Sequence, residues 1–468
     1  YLAPARFSLT KTPEYPPERD VSSEPPRIGV FVCHCGTNIG GYLDVPAVVA
    51  QTSVLPGVTH AEHNLYTCSQ DSIRHISEQI KALGLNRVVV ASCTPLTHQP
   101  LFQDCLRSAS LNPFLFEMAN IRNHCSWVHS HDPSAATAKA QELVRMAVAR
   151  AAYLTPQKTI SIGVERHALV VGGGAAGMTA ALSLAEQGFP VYLVEKALVL
   201  GGNLRNVHTL APSRDQQQDP QELLQALIER VSTHPLVSAH LGSKVIAARG
   251  FMGNFVTTIQ HEDGQRLDLN HGATILATGG REYRGEDYGY GTHPSILTQQ
   301  ELESWLANPS TILSQVHSVV MIQCVGPASQ YCSRICCNVA LKNAIVLKQA
   351  APQVQVTILH KDIRAYGFKE RLYSQARQLG VVFLRYDDQH LPEVFQDKGG
   401  EDGPQLILQV EDQVVGRLVE FHPDRLVLSM PVVAHADARE VAELFKVPLD
   451  ADGFFLEAHV KLRPVDFA

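Results

Sequence analysis

The stretch "QCVGPASQYCSRICC", residues 323 to 337, places Cys324, Cys332, Cys336 and Cys337 between an apolar run and a helix-like one. Thiols ligate metals as thiolates, and a helix N-terminus favours that charged form. If "YCSRICC" enters the helix, Cys332 and Cys336 share a face at i and i+4, Cys337 stands about 100° round, and Cys324 arrives from the strand end. Four such ligands suit a [4Fe-4S] cluster. The adjacent pair Cys336-Cys337 departs from the paired C-x-x-C units of zinc sites, so zinc and free thiols stand as the alternatives.

A second chemical signature lies upstream. "HALVVGGGAAGMTAALSLAEQGFPVYLVEK" reads as strand, glycine turn (Gly172, Gly174, Ala175, Ala176, Gly177), amphipathic helix, second strand and Glu195, 18 residues beyond Gly177. Such a turn lets backbone N–H groups approach a pyrophosphate at the helix N-terminus, while the acid binds a ribose diol. Lys196, the Gly201-Gly202 pair with Asn203, and the later Ala277-Thr278-Gly279 after another apolar strand resemble the FAD-binding members of the two-domain disulfide-reductase group, with thioredoxin reductase as its pattern. FAD is therefore expected here rather than NAD.

In that group a second nucleotide fold follows with its own glycine turn. Strand "SVVMIQCVG", helix "CNVALKNAIVLKQAAP" and strand "VQVTILHK" supply the fold pattern, but cysteines replace the glycines and no acid ends the second strand. NAD(P)H binding is not expected there. Lys342 follows Cys337 by five residues on the same helix, roughly 7.5 Å along its axis. If that helix abuts a flavin, its ammonium would stabilise the anionic reduced ring; otherwise it is a solvated lysine.

Five further cysteines fall at or just past apolar strands of the first segment: Cys33, Cys35, Cys68, Cys93 and Cys125. The ends of parallel strands share one sheet edge, the usual ligand side, so these thiols are candidates for a second iron-sulfur or zinc centre. Their spacing matches no compact ligand motif, which leaves buried apolar cysteine as the other reading. Cys105, mid-helix, is read as packing; His34, His98 and His129 are read as ordinary polar residues among 21 histidines.

The elements that must position these groups read as α/β throughout. "RIGVFVC", "NRVVVASC" and "PFLFEMA" look like buried parallel strands alternating with helices such as "DSIRHISEQIKALG" and "AATAKAQELVRMAVARAA". The expected organisation is a Pro-rich linker at 1–26, an amino-terminal α/β domain at 27–155, an FAD-binding domain with a β-meander at 156–312, a converted NAD-like domain at 313–400, and a return to the FAD-binding domain at 401–468. A net charge of −7 over 468 residues, with scattered Lys and Arg, argues against nucleic acid, and no run is apolar enough for a membrane span or signal peptide, so a cytoplasmic setting is expected. The Tyr start suggests a fragment of something longer.

With these motifs in hand, the chain resembles the A-subunit family of heterodisulfide reductases across residues 27 to 468, on "GVFVCHCGTNI", "NLYTCSQD", "VVVASCTPLTHQPLF", "LFEMANIRNHCSWVH", the Gly172 fingerprint, "YCSRICCNVALK", "DIRAYG" and "HVKLRPVDF". The resemblance implies an oxidoreductase carrying FAD and [4Fe-4S], flavin-based electron bifurcation, Lys342 approaching the flavin ring, and cluster ligation by Cys324, Cys332, Cys336 and Cys337. It also implies redox partner subunits, namely iron-sulfur subunits and a hydrogenase or formate dehydrogenase module, around a homodimer. The family's ferredoxin-like insertion and C-terminal ferredoxin domain are not in this sequence, and the flavin site is expected to be completed beyond Ala468. A flavin and iron-sulfur conduit or scaffold, and an NAD(P)H-dependent disulfide reductase, are the rival readings.

Overall fold

Alternation of apolar residues sets the first layer. The computed structural model describes residues 13–211, 219–307, 316–329, 331–397 and 405–467, in two compact units. The expected boundaries at 312/313 and 400/401, and residues 1–12 of the expected linker, lie outside the described residues.

In the first unit β1 (Ile28–Cys33) is followed by α1 (Thr37–Gly40), α2 (Val45–Ser53), β2 (Val58–Asn64), α3 (Gln70–Ala82), β3 (Arg87–Ser92), α4 (Pro95–Ser108), β4 (Phe116–Asn120), a π-helical turn (Arg122–Ser126) and α5 (Pro133–Ala151). The strands pair in parallel in the order β2-β1-β3-β4. Ile28, Val30 and Val32 of β1, with Val89 and Ala91 of β3, face α2 and α5; Phe31, Val88 and Val90 face α3 and α4. Both faces are thus buried, which is why these strands read as continuous apolar runs.

The Pro-rich stretch expected as a linker is, over 13–26, laid against this unit. Val21 is fully buried, Arg19 Nη2 donates to Leu85 O, and Asn112 Nδ2 donates to Glu18. Side-chain hydrogen bonds there anchor an irregular backbone that Pro keeps out of regular ladders.

The second unit holds two halves of the same plan. β5 (Ala168–Val171), α6 (Ala175–Glu186), β6 (Val191–Val194), α7 (Pro220–Thr233) and β7 (Val237–His240) lead into an antiparallel meander of β8 (Ser243–Phe251), β9 (Asn254–His261) and β10 (Arg266–His271), then β11 (Ala273–Leu276). The parallel sheet runs β11-β5-β6-β7, with α6 and α7 on one face and the meander on the other.

After β12 (Gly280–Glu282), the second half comprises β13 (Ile296–Thr298), α8 (Gln299–Leu306), β14 (Ser318–Ile322), α9 (Cys336–Ala350), β15 (Gln355–His360), α10 (Glu370–Gln378) and β16 (Val382–Arg385). A meander of β17 (Glu393–Asp397), β18 (Gln405–Asp412) and β19 (Arg417–Phe421) follows, then β20 (Arg425–Leu428). Its parallel sheet runs β13-β20-β14-β15-β16, with helices on one face and the meander on the other.

Residues 405–428 therefore complete the second half, whereas the sequence pattern predicts a return to the first from residue 401. Only after β21 (Val432–Ala434), which pairs with β12, does the chain go back, through α11 (Ala438–Phe445) packed on β8. The closing hairpin, β22 (Glu457–His459) and β23 (Arg463–Phe467), belongs with the first unit and meets α4.

Candidate cofactor and thiol sites

In each half of the second unit the strand order reverses, between β5 and β11 and between β14 and β20. Open parallel sheets bind ligands at the carboxyl ends of such strands.

At the first reversal the glycines leave no room for a side chain. Gly172 has φ +111°, and a Cβ on it would stand 2.3 Å from Ala277 O; one on Gly177 would stand 1.8 Å from Gly172 O. Gly174 and Gly201 bridge in parallel, with Gly202 packed on Gly174. The N-terminus of α6 has no side-chain cap, and Ala175 and Ala176 are exposed, so first-turn N–H groups stand open for an anion. Glu195 is oriented by N–H groups of Gly173 (2.5 Å) and Ala197 (2.8 Å). Lys196 pairs with Asp437 at 2.9 Å, and Asn203 accepts from Gln300 at 2.7 Å. Thr278 and Gly279 follow β11 at the same edge, and a Cβ on Gly279 would meet nothing within 4 Å. This cradle fits a dinucleotide.

The second reversal carries cysteines instead. Cys324 follows β14 with φ +58°, Cys336 and Cys337 open α9, and the Cys336 thiol points to Met430 O (3.7 Å) just past β20. Cys332 lies off the helix, which corrects the i, i+4 reading. Arg334 at φ +61° breaks the backbone before α9 and donates its N–H to Cys332 Sγ at 3.3 Å. The four thiols nonetheless sense one another: burial, then Cys337, Cys332 and Cys324, pushes Cys336 up to about 12, and burial with Cys337 and Cys332 pushes Cys324 up to about 11.

Among the described residues no three His, Cys, Asp or Glu side chains gather at the spacing of a single ion. Tetrahedral zinc, at roughly 2.3 Å from each sulfur, would need the sulfurs roughly 3.8 Å apart. A cluster spreads its ligands over several irons and suits the wider set. Gln323, fully buried beside Cys324, has neither side-chain atom partnered, and Asn338 Oδ1 and His360 Nδ1 are likewise without partners. Buried polar atoms left open at one edge fit a bound group.

Lys342 is buried on α9. Its Nζ lies 2.7 Å from Glu303 and 2.9 Å from Thr209 O, while Glu303 accepts the N–H groups of His208 (2.8 Å) and Thr209 (3.0 Å). Burial lowers the lysine's pKa and Glu303 opposes that fall. The solvated-lysine reading is excluded.

In the first unit Cys33, Cys35, Cys68 and Cys93 gather past the strand ends. Cys33 Sγ accepts from Cys35 N–H (3.2 Å) and Thr67 N–H (3.4 Å). Burial, then Cys33 and Cys35, raises Cys68; burial, opposed by Arg122, raises Cys93 to about 11. Cys125 stays apart, fully buried against α5, its thiol raised to about 11 by that burial. Cys105 is packing, as expected, raised to about 12 by burial. Thr67 Oγ1, Asn64 Oδ1 and Arg122 Nη2 are buried there without partners among the described residues.

Residues 168–278 match the family of FAD dependent oxidoreductases. The chain is 34% identical to the second iron-sulfur A-subunit of the CoB--CoM heterodisulfide reductase of Methanopyrus kandleri, over 96% of this chain and 81% of that one. It is 32% identical to the A-subunit of the H(2):CoB-CoM heterodisulfide,ferredoxin reductase of Methanothermobacter marburgensis over the same shares.

The chain belongs to the A-subunit family of heterodisulfide reductases.

It is thus part of an oxidoreductase and carries an FAD-type dinucleotide fold. Thioredoxin reductase of T. acidophilum, 17% identical, superposes with a TM-score of 0.44 over 65% of this chain and 90% of its own. Among the described residues no helix is long and apolar enough to cross a membrane. In this member of the heterodisulfide reductase family, sequence reasoning missed Glu303, Gln323 and Arg122. Each is a polar residue with no signal of its own to mark its role, and only the fold reveals that it is buried.

Proposed function

We propose that this chain is the FAD and [4Fe-4S] electron-transfer component of a heterodisulfide-reductase-type complex, turning two-electron flavin chemistry into one-electron transfers by flavin-based bifurcation. The supporting observation is the pairing of two equivalent strand reversals in one unit, a glycine cradle at one and four coupled cysteines at the other. Bound FAD supplies two-electron exchange and iron-sulfur centres take single electrons.

In this reading each residue has a part. Gly172, Gly174, Gly177 and the open first turn of α6 receive the pyrophosphate, and Glu195, already oriented, takes the ribose hydroxyls. Gly201, Gly202, Asn203, Ala277, Thr278 and Gly279 line the approach. Lys342, held by Glu303, offers a fixed ammonium toward the flavin ring. Cys324, Cys332, Cys336 and Cys337 hold one cluster, and Cys33, Cys35, Cys68 and Cys93 hold a second, with Cys125 outside it. Partner iron-sulfur subunits and a hydrogenase or formate dehydrogenase module would deliver and collect the electrons around a homodimer in the cytoplasm.

Rapid mixing of the assembled complex with its two-electron donor tests this reading. Flavin bleaching on the turnover timescale, followed by cluster reduction, is expected; clusters reduced while the flavin stays oxidised would make the chain a conduit or scaffold instead.

A further inference from the structure

A buried positive charge at the sheet edge of the first unit has no neutralising partner among the described residues. Arg122 opens the π-helical turn after β4, is 7% exposed, and lies 4.8 Å from the centroid of the Trp127 ring. Its Nη1 reaches Cys35 Sγ at 3.8 Å and its Nε reaches Asn123 Oδ1 at 3.4 Å, while Nη2 has no partner. The carboxylate on β4, Glu117, pairs with Arg150, and among the described residues none stands at ion-pair distance from Arg122. A guanidinium stays charged at every physiological pH, and burying it unpaired is strongly unfavourable.

Protonated thiols do not supply the missing charge. Four thiolates carrying an iron-sulfur centre do, because the assembly is a net anion. Thr67 Oγ1, also buried and without a partner among the described residues, borders the same edge.

We propose that Arg122 is the counter-charge of the thiolate centre at Cys33, Cys35, Cys68 and Cys93 and raises that centre's reduction potential. This rests on the reading of a centre at those cysteines. Reduction adds one electron, takes up no proton and breaks no bond, so the added negative charge is stabilised directly by the adjacent guanidinium. The cations near the α9 cysteines differ: Lys361 pairs with Asp388, and Arg364 lies 4.0 Å from Asp362, so carboxylates offset their field. Arg122 thus tunes the first unit's centre through its charge.

The test is an EPR-monitored redox titration of the full chain, purified without oxygen and reduced with dithionite, with iron counted in parallel. Cys35→Ser identifies the first unit's signal by deleting it. Arg122→Gln is expected to keep its iron and lower that signal's midpoint by a roughly tenfold change in the redox equilibrium, about 59 mV for one electron, leaving the other signal unmoved. Arg122→Lys is expected to restore most of the shift.

An unmoved midpoint in Arg122→Gln overturns the inference, as does a Lys variant that behaves like Gln. Should Arg122→Gln shed its iron, Arg122→Lys decides: iron retained at the wild-type midpoint supports the counter-charge, and iron lost overturns it. If Cys35→Ser changes neither iron content nor spectrum, the reading of a first-unit centre fails, and the inference with it.

Discussion

Lys342 and Glu303 form the most heavily buried ion pair among the described residues, and the two partners are not equivalent. Removing Lys342 leaves Glu303 two backbone N–H donors; removing Glu303 leaves the ammonium Thr209 O but no counter-charge, and takes the acceptor from both N–H groups. Breaking one side of a buried pair costs about 3–5 kcal/mol, so Glu303→Ala is expected at the upper end and Lys342→Met below it. Urea unfolding followed by Trp305 fluorescence, in a Trp127→Phe background, measures the order; equal losses would remove the asymmetry. Among single residues, the fingerprint glycines and the cysteine segment were legible because their types are unusual and their spacing fixed. Arg122 and Gln323 were not, since burial of a polar side chain depends on strands far away in sequence.

Elements show a similar division. β1 and β3, buried on both faces, announced themselves as apolar runs, whereas β2, an edge strand reading "VTHAEHN", has half-buried polar residues and gives no such run. Besides its ladder to β1 and the packing of Val58 and Ala61, Glu62 ties it to α3: the carboxylate lies 3.0 Å from Nε2 of His60 on the same strand and 3.0 Å from Nε2 of His75 on α3. Burial would raise its pKa, but hydrogen bonds from His75, His60 and Asn64 outweigh that and bring it below the usual 4.5. A depressed carboxyl contributes stability that is present above its unfolded pKa and is lost as pH falls through its folded value. Glu62→Gln is thus expected to weaken α3 and β2 by about 1–2 kcal/mol at pH 7 and by much less near pH 3. Hydrogen exchange of amides 58–82 at both pH values checks this; an equal effect at both would contradict it. The glycine turn yields a sharper prediction. Gly177→Ala should abolish flavin retention, because the new Cβ displaces the Gly172 carbonyl, while Gly163→Ala, with open space around it and no left-handed backbone, should keep its flavin. Absorbance of the purified variants distinguishes the two.

For the whole molecule, the informative feature is duplication. Each half of the second unit has helices, a parallel sheet and an antiparallel meander, with the candidate site at the strand reversal, β5/β11 in one and β14/β20 in the other. The sequence showed both halves through repeated strand-helix-strand patterns, but not that β20 returns to the second sheet, because a lone apolar strand carries no label of its neighbours. In the function proposed above, the second edge has exchanged a nucleotide for iron and sulfide. Assembly there requires deprotonating thiols that burial holds near 11 and 12 at Cys324 and Cys336, so reconstitution of metal-free chain should quicken as pH rises from about 7 to about 9. The most direct measurement is iron, acid-labile sulfide and flavin per chain on the anaerobically purified protein, beside Cys336→Ser. Expected are a flavin with stoichiometric iron and sulfide, and a variant that keeps the flavin while losing one cluster's share of iron. A yellow, iron-free protein, or a variant with undiminished iron, would contradict it.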